Sequence, residues 1–235
     1  MPHSTTAEPR NAARTRAAVL NAAERLFAER GFDGTSLNEV GAEAGVSRGT
    51  PGYFFGSKAE LYQAVLDRCF EGVRAAIRSG RERALASSKS PEVVLAGAVA
   101  EYFDFINAHP RFVRLMEWEA LSSRRGVEKV PAHVEVVREA LEAMSAELGV
   151  QPNRHEDTAQ LLLSIISLCW FPLVHGSALL PALGIDPTNA RFTESRKRHV
   201  VDLVMQGARE LLALPGDDPD GRPNFYQAHA HASTD

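Results

Sequence analysis

Residues 44–61 read AGVSRGTPGYFFGSKAEL, from Ala44 to Leu61, and the rest of the chain is arranged around them. Gly45 supplies the positive φ that ends one helix and swings the backbone into the next. Val46 is an apolar plug under the turn. Ser47 is placed to cap a new short helix by accepting a first-turn N–H. That helix carries Arg48, Thr50, Tyr53 and Phe54, which are donors and aromatics suited to phosphates and base edges. Gly56 breaks it. Ser57 with Glu60 then forms a capping box for a further helix, leaving Lys58 at its exposed start.

Upstream, Val19, Ala23, Leu26 and Phe27 recur at helical spacing in a helix expected from Asn11 to Arg30 and ended by Gly31. Ser36 with Glu39 is a second capping box, opening a short helix from Leu37 to Ala44 with Leu37, Val40 and Ala44 inward. Short helix, glycine turn and short helix make a helix-turn-helix pattern, braced by the first helix as a three-helix bundle.

The chain has 235 residues, 44% hydrophobic and 24% charged, the profile of a globular protein with room for a core. Its two cysteines, Cys69 and Cys169, sit in apolar helical patterns, so a reducing, cytoplasmic setting is expected rather than a disulfide framework. No apolar stretch long enough for a signal peptide follows Arg10, Arg14 and Arg16. The net charge of -4 hides an asymmetry: residues 1–89 hold 13 Lys and Arg against 10 Asp and Glu, whereas residues 90–235 hold 13 against 20. A mildly basic front on an acidic remainder suits a DNA-contacting head on a body that does not touch DNA.

Beyond Lys58 the pattern predicts a long helix to about Ser88, with Leu61, Val65, Cys69, Val73 and Ile77 inward and a basic far end of Arg74, Arg78, Arg81 and Arg83. Further helices are expected over Glu92–Ala108, Arg111–Arg125 and Ala132–Leu148. The most apolar part spans residues 155–181, and a last helix runs from about Thr188 to Leu214. No strand pattern or fixed repeat is present. The expected fold is all-α: a helix-turn-helix domain over 10–58 and a helical effector-binding and dimerisation domain over 59–214. Polar tails over 1–9 and 215–235 are expected to be disordered.

Three segments, AAERLFAERGFDGTS (Ala22 to Ser36), AGVSRGT (Ala44 to Thr50) and Phe55 to Lys58 before Leu61, together resemble the DNA-binding domain of the TetR family of bacterial transcriptional regulators. The likeness covers about Arg16 to Val73. It implies a ligand-responsive regulator, in most cases a repressor released from a pseudo-palindromic operator by a small-molecule effector; a TetR-type activator is the alternative. Many members carry an aliphatic residue and a tyrosine directly after Gly-Thr. Here Pro51 and Gly52 stand there, and Tyr53 is the candidate substitute for the tyrosine's phosphate contact.

The DNA-binding set is therefore Thr35, Ser36, Asn38, Ser47, Arg48, Gly49, Thr50, Tyr53, Phe54 and Lys58. Arg48 and Thr50 are assigned to bases or nearby phosphates, Tyr53 and Lys58 to phosphates. Thr35, Ser36 and Asn38 are assigned to the DNA backbone from the start of the supporting helix. One head offers few contacts, so a homodimer with recognition helices about 34–36 Å apart is expected on double-stranded DNA. The two most C-terminal helices should supply the dimer surface. Residues 161–180 are apolar enough to suggest a membrane span, but Ser164, Ser167, Pro172, His175 and Ser177 favour a helix buried between two copies.

An effector pocket is expected between residues 61 and 180, with Tyr102, Phe103, Phe105, Met116, Trp118 and Trp170 as candidate contacts and an apolar or aromatic small molecule as ligand. No cofactor, metal or catalytic group is called for. Gly45-Val46-Ser47-Arg48-Gly49 matches the nucleophile elbow G-x-S-x-G, but that motif needs a preceding strand and a sheet. Gly56-Ser57-Lys58 lacks the glycine spacing of a P-loop. The competing class is a helical enzyme or interaction module whose N-terminal bundle leaves DNA alone.

Overall fold

Two Ser-x-x-Glu boxes fix where the front of the chain turns. In this computed structural model Ser36 Oγ accepts from the Glu39 amide at 3.3 Å while the Ser36 amide donates to Glu39 Oε2 at 2.9 Å. Ser57 and Glu60 repeat the arrangement at 3.2 and 2.8 Å. Each box satisfies two amides that a helix start leaves without partners. The Ser36 hydroxyl and backbone N–H, then Arg30, hold the Glu39 carboxyl below the usual carboxylate range. That cap therefore contributes above the ordinary carboxylate pKa and is lost as pH falls through the lowered one.

The structure describes residues 7–88, 90–121, 132–150, 154–186 and 189–213. These form helices α1 (Ala7–Arg30), α2 (Leu37–Glu43), α3 (Thr50–Phe55), α4 (Lys58–Ser87), α5 (Pro91–Ala108), α6 (Pro110–Leu121), α7 (Ala132–Leu148), α8 (His155–Ala182) and α9 (Ala190–Ala213), with no strand among the described residues. The expected helices are all present, and within the described residues boundaries shift by a few positions. α1 already begins at Ala7, inside the segment read as a disordered tail. The rest of that segment, the tail over 215–235 and residues 122–125 of the helix expected to reach Arg125 lie outside the described residues.

In the front bundle Val19, Phe27, Val40, Leu61 and Val65 are fully buried. Gly45, with φ +68°, makes the sharp exit from α2 that an L-residue would resist. Gly41 sits where α2 meets the next turn: a Cβ there would lie 3.1 Å from the Ser47 carbonyl oxygen and 3.5 Å from Pro51 Cδ. Side-chain pairs lock the bundle from outside. Arg25 bonds Glu43 at 2.7 Å and Arg30 bonds Glu39 at 3.0 Å, joining α1 to α2. The Arg16 guanidinium lies 4.6 Å from the centre of the Phe55 ring, joining α1 to α3.

Behind the bundle, α4 and α5 cross in close contact. Ideal Cβ atoms would lie 2.4 Å from the Gly97 carbonyl at Gly80 and 2.7 Å from the Gly80 carbonyl at Gly97. Two missing side chains thus let two backbones touch. The basic end of α4 is spent within the body: Arg74 pairs with Glu139 at 2.7 Å, Arg81 with Glu147 at 2.7 Å, and Arg83 with Glu101.

α8 contains two prolines, Pro172 and Pro181. Pro172 has no N–H to give the Leu168 carbonyl one turn back. Arg196 of α9 donates to that carbonyl instead, at 3.0 Å. Cys69 and Cys169 are buried and unpaired, and burial pushes both thiols up to about 12. They fill space rather than react.

Replacing Gly97 with Val should force α4 and α5 apart, because the obstructions are the Gly80 carbonyl and Ala84 Cβ. We expect thermal unfolding to show a loss of at least about 1–3 kcal/mol; a Tm equal to wild type would contradict the close crossing.

Candidate nucleic-acid interface and ligand cavity

α3 is short because its sequence stops it at both ends. Thr50 starts the helix after a turn in which the Thr50 amide donates to the Ser47 carbonyl at 3.0 Å, and Gly56, with φ +77°, ends it. Pro51 and Phe55 face inward and are buried. The opposite face is left to solvent: Ser47, Arg48 and Gly49 are exposed, Thr50, Gly52 and Phe54 half-buried, and Tyr53 is 84% exposed. Tyr53 and Phe54 stack edge to face with centroids 5.2 Å apart, so the pair forms a small stiff platform. Arg48 takes no part in the ion pairs found among the described residues.

Four expectations for this surface change. Gly49, not Ser47, occupies the cap position of α3, without a side-chain cap bond. The Ser47 hydroxyl instead meets the Thr50 hydroxyl at 2.7 Å, which leaves the two as a joined donor–acceptor pair beside Arg48. Thr35, expected on the DNA backbone, is instead 2% exposed, and its hydroxyl donates to the Gly31 carbonyl at 2.9 Å. It closes the end of α1. The Ser36 hydroxyl is engaged by Glu39 at 2.7 Å, whereas Asn38 is exposed.

Lys58 is the fourth. It is not a free cation at a helix start: Nζ donates to the carbonyls of Phe32 and Thr35, both at 3.0 Å, and stands 4.3 Å from the Phe32 ring centre. The ammonium carries three N–H bonds, so one remains after this bracing. Sequence reasoning had no way to see the partners, which lie 26 and 23 residues away.

The body holds a cavity of about 440 Å³ between α4, α5, α6, α7 and α8. Tyr102, Met116 and Trp170 line it as expected, beside Phe70, Phe112 and Met144, which sequence reading missed. Phe112 contacts Phe70 and Trp170 edge-on, with centroids 5.4 and 5.5 Å apart. Trp170 donates its indole N–H to the Tyr102 oxygen at 2.5 Å. Burial raises the Tyr102 pKa, so that phenol stays neutral. Three charged groups reach the wall: Arg81, Glu147 and Glu119. Arg81 and Glu147 are bonded to one another. Glu119 accepts from the Tyr62 hydroxyl at 2.7 Å.

Three expected pocket residues are elsewhere. Phe103 is 3% exposed and belongs to the core beside α8 and α9. Phe105 stacks on His109 with centroids 4.1 Å apart and covers Gly72. Trp118 leaves the body altogether: its indole lies against Gly31, where a Cβ would meet the ring at 3.0 Å, and its N–H donates to the Ala28 carbonyl at 3.2 Å. An aromatic residue in an amphipathic helix fits a pocket, a core or a joint equally well, and only the packed structure distinguishes them.

The motif G-x-S-x-G falls in the turn between α2 and α3, not after a strand, so it lacks the setting of a nucleophile elbow. The described residues contain no cluster of three His, Cys, Asp or Glu able to hold a metal.

A helix-turn-helix surface at one end and an apolar cavity in a helical body define a class, the ligand-responsive DNA-binding regulators. Comparisons with known proteins agree. The family described as bacterial regulatory proteins, tetR family, matches residues 19–65, and the tetracyclin repressor-like C-terminal domain matches residues 91–204. The HTH-type transcriptional repressor NicS of Pseudomonas putida is 26% identical over 203 residues, 83% of this chain and 93% of that protein. The HTH-type transcriptional activator FasR of Mycolicibacterium smegmatis is 29% identical over 152 residues, 64% of this chain and 68% of that protein. A crystal structure of a TetR-family transcriptional regulator from Streptomyces coelicolor matches with a TM-score of 0.59 at 19% identity, over 87% of this chain and 91% of that one. The chain belongs to the TetR family of transcriptional regulators.

Arg48→Ala should lower DNA affinity without moving Tm. Lys58→Ala should lower both, with a stability loss of roughly 1–2 kcal/mol from two charge-assisted bonds that are half open to water. Thermal melts read beside fluorescence anisotropy on DNA separate the two; an unchanged melt for Lys58→Ala would remove its bracing role.

Proposed function

We propose that this chain is a repressor that binds a pseudo-palindromic operator as a homodimer and is released when a small molecule fills the body cavity. The observation that carries this reading is the outward face of α3 and its preceding turn. Arg48, the Ser47–Thr50 hydroxyl pair and Tyr53 stand together there, free of the core. Arg48 and Thr50 reach base edges or nearby phosphates. Tyr53 and the remaining Lys58 N–H take phosphates, and Asn38 contacts the backbone from the start of α2. Residues 10–58 then act as the reading domain and 59–214 as the effector and dimer domain, acting in the cytoplasm.

The dimer follows from what α8 leaves uncovered. Its mean hydropathy reaches 1.7, and Leu163, Phe171 and Leu179 are 58%, 51% and 40% exposed, with Leu203 of α9 at 41%. Soluble monomers rarely leave so long an apolar stripe in water. Its inner positions, Ile165, Cys169, Gly176 and Leu180, already face the body. A second copy of α8 and α9 covers the outer ones better than lipid does. The same surfaces give no reason to assign an enzyme activity.

Release is routed through α6. This helix lines the cavity with Met116 and Glu119, and between them carries Trp118, which grips the end of α1. A ligand that displaces α6 therefore displaces the head, and it favours the DNA-free spacing by the difference in its affinity for the two spacings.

In size-exclusion chromatography with light scattering the protein should run as a dimer. Its affinity for a promoter fragment bearing the palindrome should fall about ten- to a hundredfold between roughly 50 and 200 mM salt, the slope expected for about two to four neutralised phosphates. Phe171→Asp combined with Leu203→Asp should give a folded monomer that loses the fragment. A monomeric wild type, or binding insensitive to salt, would refute the proposal.

Gly52 offers a finer probe, because a Cβ there meets nothing within 4 Å. Gly52→Ala should stabilise the free protein by up to about 1 kcal/mol. If Pro51 and Gly52 serve to bring the α3 backbone close to DNA, the same variant binds the operator at least about tenfold more weakly. Unchanged affinity would end the close-approach reading.

A further inference from the structure

The cavity wall is apolar apart from a few groups, and their charges do not balance. Arg81 donates to Glu147 at 2.7 Å, and the Glu147 side chain is 19% exposed. An anionic ligand could recruit Arg81 only by leaving Glu147 without its cation in a partly dry site, a costly exchange. Glu119 is different. Its partner is the neutral Tyr62 hydroxyl, on Oε1. An ionised carboxylate offers about four acceptor positions, so beside the Tyr62 bond most of its capacity is left at the cavity wall. Counting Arg81, Glu147 and Glu119, the wall carries one negative charge more than it neutralises.

From this we infer that the cavity takes an apolar cation, an aryl-bearing amine whose ammonium pairs with Glu119 and whose ring lies among Phe70, Phe112 and Trp170. The inference rests on reading the cavity as the effector site and adds the chemistry of what enters it. The volume of about 440 Å³ suits a ring with an alkyl arm. The edge-to-face set of Phe70, Phe112 and Trp170 supplies aromatic contact. Glu119 supplies orientation, since an ammonium in this low-dielectric wall gains more from a carboxylate than it would in water. Tyr62, held by the same carboxylate, packs edge-on against Phe27 and Phe32 of the front bundle at 4.8 and 5.3 Å. The residue that reads the ligand's charge is therefore one bond away from the core of the DNA-reading head.

Three probes with one skeleton test this: phenylhexylamine, phenylhexanol and phenylhexanoate, titrated calorimetrically into the full chain. We expect the amine to bind at least about tenfold more tightly than the alcohol, and the carboxylate to bind most weakly. Glu119→Gln, which keeps an acceptor for Tyr62, should erase the amine's advantage over the alcohol, with a thermal melt close to wild type showing that the variant is folded. If the alcohol binds but the amine gains nothing over it, or if the carboxylate binds best, the cation assignment is wrong while the effector cavity stands. The same holds if the amine keeps its advantage in Glu119→Gln. If none of the three binds, the cavity is not an effector site and both readings fall.

Discussion

The joint between α1 and α6 is the constraint on which the rest depends. Gly31 turns with φ +70°, and its bare backbone lets the Trp118 indole lie flat against it while the indole N–H holds the Ala28 carbonyl. A side chain at Gly31 would be strained by the backbone angle and would press into the indole ring, 3.0 Å from where its Cβ would stand. Because the contact is packed and hydrogen-bonded at once, α6 cannot shift without pulling the end of α1. Thr35 and Lys58 tie their bonds into the same few residues, at Gly31 and Phe32. The end of α1, the approach to α2 and the start of α4 thus behave as one rigid knot.

That knot explains the division of labour within the front bundle. Its arginines are mostly spent on holding it together: Arg16 on Phe55, Arg25 on Glu43, Arg30 on Glu39, and Arg68 on Glu24 and Asn21. A front end with more cations than acids is therefore less basic at its surface than its count suggests. What reaches out is concentrated in one turn and one short helix.

Much of this was legible in the sequence, for reasons that can be named. Both capping boxes and the glycines at 31, 45 and 56 act within a few residues, so local chemistry determines them and the structure returns them as read. The inward series Leu61, Val65, Cys69, Val73 on α4 has the helical period and is buried. What could not be read are contacts between distant segments. Lys58 looked free because its two carbonyl partners belong to the end of another helix, and Trp118 looked like pocket lining because its period along α6 is compatible with either face. Gly41, Gly80 and Gly97 carry no local signal for the same reason. Their importance lies in what approaches them, which no local pattern records.

The sparse charge on the reading face bears on how DNA is held. On the proposed reading face of each head, the exposed Arg48 guanidinium and part of the Lys58 ammonium would give a small electrostatic attraction. The remaining donors are hydroxyls and backbone amides, which act only at short range and only in register. A single head of this composition would slide off most sequences with little preference. Two heads held at a set distance multiply a modest affinity, and they reward only sites whose half-sites match that distance. In the proposed homodimer the exposed apolar stripe of α8 and α9 and the lean α3 surface are complementary features: the first would supply the second copy that the second requires. Regulation then needs no change in the reading face itself. On the proposed route, a ligand that alters the angle of α6 would alter the distance between two intact heads, and register alone would be enough to break the fit.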